Sequence, residues 1–220
     1  MKLSNRLKGV ASFAEENSFI LDIGCDHALL SIYLEKNFKN IKIIASDIND
    51  MPLNKARENI IFYETKNITL KLANGMDAYE EGIDTIILSG LGTSTILDIL
   101  LKDKTKLEKI NKIIISSNNN YYELRKTLTE NGFIITGETI ILEKDKFYPI
   151  ICFEKGIKKY SKKELAYGPI LVKENSDTFK KFIKYKLNKL SKINKNLENT
   201  KDIKLTNKIS KEIRELEKLL

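Results

Sequence analysis

Histidine, cysteine and long apolar runs are all scarce in this chain, and each scarcity removes a class of function. A single histidine, His27, stands among 220 residues, which excludes both a Ser-His-Asp triad and the paired histidines of HExxH zinc chemistry. The two cysteines, Cys25 and Cys152, lie far apart with no CxxC spacing. They suggest neither a disulfide framework nor a zinc cluster, and a reducing cytoplasm with two free thiols is the expected setting. No apolar run approaches the roughly 18 residues of a membrane span, and no signal-peptide pattern opens the sequence. No membrane association is expected. The length suits one full α/β domain with a smaller appendage.

Charge is unevenly spread. Residues 1–157 carry 20 Lys/Arg and 22 Asp/Glu, whereas residues 158–220 carry 18 and 8, a balance of +10 on the tail. Such segregation is the footprint of a polyanion-binding module beside a neutral one. A solvated helical face in a lysine-rich chain is the plainer alternative.

What is present begins at Phe19-Ile20-Leu21-Asp22-Ile23-Gly24-Cys25-Asp26-His27-Ala28, an apolar run that ends in an acid, passes one glycine and enters a helical pattern. A second apolar run, Ile41–Ser46, ends at Asp47, 23 residues after Gly24. This is the outline of a nucleoside-binding βαβ unit whose second acid holds the ribose hydroxyls. Pyrophosphate needs several glycines so that backbone N–H groups can close around it. Here Asp26 and Ala28 fill the second and third glycine positions, and Asp26 repels phosphate. The unit suits a nucleoside without phosphate, such as S-adenosylmethionine (SAM), and a nicotinamide dinucleotide fits poorly.

Leu3, Leu7, Val10 and Ala14 predict an N-terminal amphipathic helix. Strands are predicted at Phe19–Ile23, Ile41–Ser46, Ile68–Leu72, Thr85–Leu88 and Ile113–Ile115, with helices between them and one from Tyr121 to Glu130. Phe133–Leu142 and Phe147–Phe153 are separated only by Glu143–Lys146, too short a gap for a crossover helix, so an antiparallel hairpin is predicted. Five βα units closed by a hairpin is the layout of an α/β, seven-stranded Rossmann-like methyltransferase sheet. Beyond Gly156, Phe179, Ile183, Leu187, Leu190, Ile193 and Leu197 form one helical stripe. Leu205, Ile209, Ile213, Leu216 and Leu220 form another, with Asn199-Thr200-Lys201-Asp202 between. These predict a C-terminal α-helical coiled-coil hairpin of two helices about 30 Å long. The domains are thus expected at 1–157, catalytic, and 158–220, basic.

The strand ends supply the candidate cofactor residues. Asp22 and Gly24 shape the first turn, Asp26 and His27 sit above it near the cofactor's charged amino-acid end, and Asp47, followed by Ile48, meets the ribose. Asn74-Gly75 offers an amide to the adenine edge, and Ser89-Gly90-Leu91-Gly92 lies beneath the sulfonium methyl and faces the acceptor. Taken singly, each has a bland alternative. His27 suits a structural hydrogen bond, Asn74-Gly75 a simple turn and Ser116–Asn120 a helix cap. Their order, each at the end of its own strand, is the more specific signal.

Leu3-Ser4-Asn5-Arg6-Leu7 fits L-S-x-R-L, Asp22 through Leu30 fits D-I-G-x-D-H-A-x-L, and Ala45 through Ala56 fits A-x-D-x-x-x-x-P-L-x-x-A. Tyr148 matches a strand-seven tyrosine, and Tyr167 through Glu174 contains G-P-x-L-x-x-E/K. On these motifs, spread over nearly the whole chain, the sequence resembles the bacterial tRNA (adenine-22-N1)-methyltransferase family. It departs from that family's G-D-G at Ala73-Asn74-Gly75, from A-G-M-G-G at Ser89 through Thr93, and from Q-P-N at Ser116-Ser117-Asn118. The resemblance implies methyl transfer from SAM to N1 of an adenine in the D-arm region of tRNA, with no obligatory protein partner. It further implies that Gly90, Leu91 and Asn118 orient the base, that Tyr148 stacks on it and that Arg6 contacts phosphate. Lys180, Lys181, Lys184, Lys189, Lys192 and Lys195 of the tail would then grip RNA. Two alternatives share the fold: a SAM-dependent methyltransferase of another substrate, and a non-catalytic RNA-binding protein.

Overall fold

The computed structural model describes residues 1, 3–197 and 203–220. The expected break at Asn199-Thr200-Lys201-Asp202 lies outside the described residues. Seven strands, β1 (Phe19–Ile23), β2 (Lys42–Asp47), β3 (Ile68–Leu72), β4 (Thr85–Ser89), β5 (Lys112–Ser116), β6 (Phe133–Glu143) and β7 (Lys146–Lys155), form one sheet. Their order is β3-β2-β1-β4-β5-β7-β6, and β7 runs antiparallel to both neighbours. The central strands are continuous Ile/Leu-rich runs buried on both faces, as parallel strands under helices must be. Edge strand β3 is only half buried. The predicted hairpin is present, and its two turn residues Lys144 and Asp145 have φ of 49° and 61°, the left-handed pair of a tight two-residue turn.

Helices α1 (Asn5–Ala11), α2 (Leu29–Asn37), α3 (Asp50–Phe62), α4 (Thr93–Leu101), α5 (Lys104–Leu107) and α6 (Tyr121–Glu130) cover the sheet, and a short 3-10 turn spans Gly75–Ala78. Val10 and Ala11 of α1 and Leu30 and Leu34 of α2 join Ile20, Ile43, Ile87, Ile114 and Ile150 in one buried cluster. Ile23 lies opposite Ser46 of β2 and Leu88 of β4, Asp47 opposite Leu72, and Ser89 opposite Ser116. The carboxyl ends of five parallel strands therefore finish level. Because β1 connects to β2 on one side and neighbours β4 on the other, a crevice opens above this switch point.

Four further helices follow: α7 (Lys162–Tyr167), α8 (Pro169–Glu174), α9 (Asp177–Leu197) and α10 (Ile203–Glu217). The chain divides into compact units at Met1–Pro169 and Ile170–Leu220, twelve residues beyond the break that charge suggests at 157. The reason is anchorage. Ser161 and Glu164 form a capping box at the start of α7, the Tyr160 hydroxyl accepts from the Ile135 N–H at 2.8 Å, and Arg125 Nη1 donates to the Leu165 carbonyl at 3.1 Å. Within the second unit α9 and α10 pack together, with Ser210 Oγ donating to Asn194 Oδ1 at 3.4 Å.

Arg125 also pairs with Glu138 at 2.7 Å, and both side chains are shut off from solvent. Arg125→Ala leaves a buried carboxylate without its cation and is expected to cost about 3–5 kcal/mol in urea unfolding. The double variant Arg125→Met/Glu138→Leu is expected to recover most of that loss.

Candidate active site

A cavity of about 720 Å³ occupies the crevice, within the range of roughly 300–1,000 Å³ typical of small-molecule sites. All ten expected cofactor residues line it: Asp22, Gly24, Asp26, His27, Asp47, Ile48, Asn74, Gly75, Ser89 and Gly90. Leu91 and Arg6 line it too.

The loop after β1 is stitched to β2, because the N–H groups of Gly24 and Cys25 both donate to the Ser46 carbonyl, at 2.8 and 3.0 Å. Asp26 and Ala28 then adopt left-handed backbone, φ 54° and 55°, and Asn59 Nδ2 holds the loop by donating to the His27 carbonyl at 2.9 Å. Asp26 and His27 stand exposed at the rim, 3.6 Å apart. Asp22 lies buried below them and accepts from Ser31 Oγ at 2.6 Å. Burial pushes its pKa up to about 6; the Ser31 hydrogen bond opposes the rise and the neighbouring Asp47 adds to it.

Asp47 ends β2 half-exposed; its Oδ1 accepts from the Asn49 N–H at 2.9 Å, and its carbonyl accepts from the Ala73 N–H at 3.0 Å. Ile48 beside it is 61% exposed, an apolar surface at the cavity wall. Gly75 has φ +56°, and a Cβ there would fall 2.8 Å from Ile99 Cγ2, so only glycine lets this turn settle against α4. Thr95, Asp98 and Ile99 of α4 and Lys102, at its C-cap, complete the wall. Sequence reasoning missed them, although their i, i+3, i+4, i+7 spacing directly after Gly-x-Gly places them on one helix face.

The acceptor side is built on Gly90, whose φ of +91° no side chain adopts without strain. Its N–H donates to the Ser116 carbonyl at 2.9 Å, and its own carbonyl accepts from Asn118 Nδ2 at 2.7 Å. Asn118 and Tyr148 are not among the cavity-lining residues; Asn118 adjoins it through Gly90 and Tyr148 through Arg6. The Arg6 guanidinium donates to Ser89 Oγ at 2.8 Å and lies 5.7 Å from the Tyr148 ring centre. The residue expected on RNA phosphate is thus part of the cavity wall. The Ser116–Asn120 cluster does bond to a helix start through its side chains, but to that of α4: Asn119 Oδ1 accepts the Thr93 N–H at 3.1 Å, and Thr93 and Ser117 hydroxyls meet at 2.8 Å.

The tail lysines lie on α9 in the other unit. Lys181, Lys184, Lys189, Lys192 and Lys195 are exposed and Lys180 is half-buried. At about 100° per residue all six fall within one half of the helix, opposite the stripe of Phe179, Ile183, Leu190 and Leu197. Among the described residues there is no cluster of three or more potential metal ligands and no helix long and apolar enough to cross a membrane.

An acid at the end of β2, a mixed apolar and amide wall toward β3, and Asp22 on the floor with Asp26 at the rim in place of a phosphate cradle fit a positively charged nucleoside. This site on this sheet order defines a Rossmann-like SAM-dependent methyltransferase. The profile of the family TrmK, tRNA (adenine(22)-N(1))-methyltransferase, matches residues 20–218. A Bacillus subtilis tRNA (adenine(22)-N(1))-methyltransferase is 29% identical over 189 residues, covering 82% of this chain and 79% of its own. The crystal structure of a Streptococcus pneumoniae putative tRNA (m1A22) methyltransferase in complex with S-adenosyl-L-methionine superposes with a TM-score of 0.90 at 31% identity, covering 100% of both chains. Mycoplasma capricolum TrmK with S-adenosyl-homocysteine gives 0.85 at 30% identity, covering 99% of this chain and 97% of its own. The chain belongs to the tRNA (adenine(22)-N(1))-methyltransferase family.

The Asp22 environment sets a pH dependence. Its folded pKa of about 6 exceeds the ordinary 3.8, so the cost of ionising it in the folded protein builds as pH rises from about 4 to about 6, is level above that, and vanishes below about pH 4. Asp22→Asn, which keeps an acceptor for Ser31, is expected to stabilise the ligand-free protein by about 3 kcal/mol near pH 8. In urea unfolding that gain should fade to nothing toward pH 4.

Proposed function

We propose that this protein transfers the methyl group of SAM to N1 of adenine 22 in tRNA. The observation that carries the reading is a cavity of the right size and charge at the switch point of a chain whose family match runs from residue 20 to 218. When bound, SAM supplies an electrophilic methyl carbon on a sulfonium. Asp47 holds the ribose hydroxyls, Ile48, Asn74 and Gly75 face the adenine, and Gly24, Asp26 and His27 face the amino-acid end.

Neutral adenine carries a lone pair on N1, so no general base is needed and catalysis rests on alignment at near-attack distance. With Asn118 Nδ2 committed to the Gly90 carbonyl, Asn118 Oδ1 is oriented to accept the N6 amino group of the target base. Gly90 and Leu91 bound the methyl, and Tyr148 offers a stacking face to the base. The base gains positive charge as it is methylated, which the acidic lining favours. In folded tRNA the base must be turned out to reach this depth. Residues 1–157 carry the chemistry, and the tail from 158 onward grips the RNA backbone through the lysine face of α9. The protein acts in the cytoplasm without an obligatory protein partner.

Incubation with labelled SAM and unmodified tRNA, followed by mass mapping, is expected to yield 1-methyladenosine at position 22; a methyl elsewhere, or on a small molecule only, contradicts the reading. Changing Lys184, Lys189, Lys192 and Lys195 to glutamine is expected to weaken tRNA binding. The slope of log affinity against log salt should fall by about 3, since each phosphate contact contributes about 0.7–0.9.

A further inference from the structure

Seven lysines and no acid lie between Lys180 and Leu197 of α9, and one aromatic ring stands in their midst. Tyr185 is 49% exposed. At about 100° per residue it falls within about 40° of Lys181, Lys189 and Lys192 around the helix, and all three are exposed. The ring therefore sits near the centre of the cationic face. The buried residues of α9, Phe179 and Ile183, lie about 120° and 160° away. Ile193, the other exposed large apolar residue described on this helix, borders that apolar side at about 80°. Tyr185 is thus outside the stripe that folds the unit. A lysine-rich composition accounts for the cations around it, but not for a ring among them.

Lysines alone grip paired and unpaired RNA alike, because both present phosphates. An aromatic ring asks for something a duplex withholds. In an A-form stem the faces of the bases are covered by their neighbours, whereas the bases of loops and bulges can splay out and stack on an aromatic side chain. Lys181 and Lys189 stand about one turn before and one turn after Tyr185, roughly 6 Å along the axis in either direction at 1.5 Å per residue. A base laid on the ring brings the phosphates on its two sides toward these two ammonium groups. Stacking with flanking cations is how single-stranded nucleic acid is held without regard to sequence. We propose that Tyr185 is a stacking platform for an unpaired nucleobase of the bound RNA, other than the target adenine, with Lys181 and Lys189 on the phosphates to either side. The proposal rests on the reading of α9 as an RNA-gripping face. It adds that this face selects a loop over a stem.

Anisotropy titrations of the full chain with unmodified tRNA and with a blunt RNA duplex, each over a range of salt, test it. Tyr185→Ala is expected to weaken tRNA binding by between about fivefold and about a hundredfold, as loss of one base–aromatic stack implies. Duplex affinity and the slope of log affinity against log salt should stay as in the parent. Tyr185→Phe, which keeps the ring, should retain most of the tRNA affinity. Tyr185→Leu, which keeps bulk and helix propensity without a π face, should lose as much as Tyr185→Ala. Unchanged tRNA binding by the Ala variant, parent-like binding by the Leu variant, or equal losses on tRNA and duplex would overturn the proposal. The glutamine variant of Lys184, Lys189, Lys192 and Lys195 separates the two readings: if it binds tRNA with the parent's affinity and salt slope, the RNA-gripping role of α9 itself falls.

Discussion

Two hydrogen bonds from the N–H groups of Gly24 and Cys25 to one acceptor, the Ser46 carbonyl, hold the arrangement on which the rest of the site depends. They tie the loop leaving β1 to the last residues of β2, so the rim acids and Asp47 face one space. Holding the loop there requires left-handed backbone at Asp26 and Ala28, a conformation that disfavours non-glycine residues by about 1–2 kcal/mol each. It also requires Asp22 to remain buried, with Ser31 as its hydrogen-bond donor. Both features oppose folding. The dense apolar packing of β1, β2, β4 and β5 offsets them, as it can because the local strain is confined to a few residues at one edge of the sheet.

Much of this was legible in the sequence, for physical reasons. Buried parallel strands must be continuously apolar, and Ile86-Ile87-Leu88 and Ile113-Ile114-Ile115 announce themselves. A strand that ends at a ligand site ends in a polar residue, and Asp47 and Ser89 mark those ends. The four residues Glu143–Lys146 leave no room for a crossover, which forces a hairpin. What escaped the sequence depends on distant partners. Nothing local to Arg6 says that Glu143, 137 residues away, holds its backbone or that Ser89 takes its side chain, so an outward phosphate contact was the natural reading. The Ser116–Asn120 cluster bonds to the start of α4 because β4 and β5 are neighbours in space. Arg125 reads as a surface helix residue until Glu138 and the Leu165 carbonyl are seen around it.

The boundary between the two units shows the same contrast between composition and packing. Charge changes sign near residue 157, but the capping box at Ser161 and the bond from Arg125 hold α7 in the first unit, and the division falls after Pro169. The positive surface then belongs mainly to the helices beyond it. A nearly neutral catalytic unit with an acidic cavity repels polyanions weakly, and a lysine-faced helix attracts them. Separating these fields lets one chain hold a cationic cofactor and a polyanionic substrate without either charge set opposing the other.

The central claim is that the nucleophile is N1 of adenine 22. A tRNA carrying 1-deazaadenosine at position 22 replaces that nitrogen with C–H and leaves the remaining base and the RNA backbone in place. The protein is expected to bind this RNA as it binds the parent tRNA and to transfer no methyl group from SAM to it. Methyl incorporation into the 1-deaza RNA at the parent rate would contradict the account.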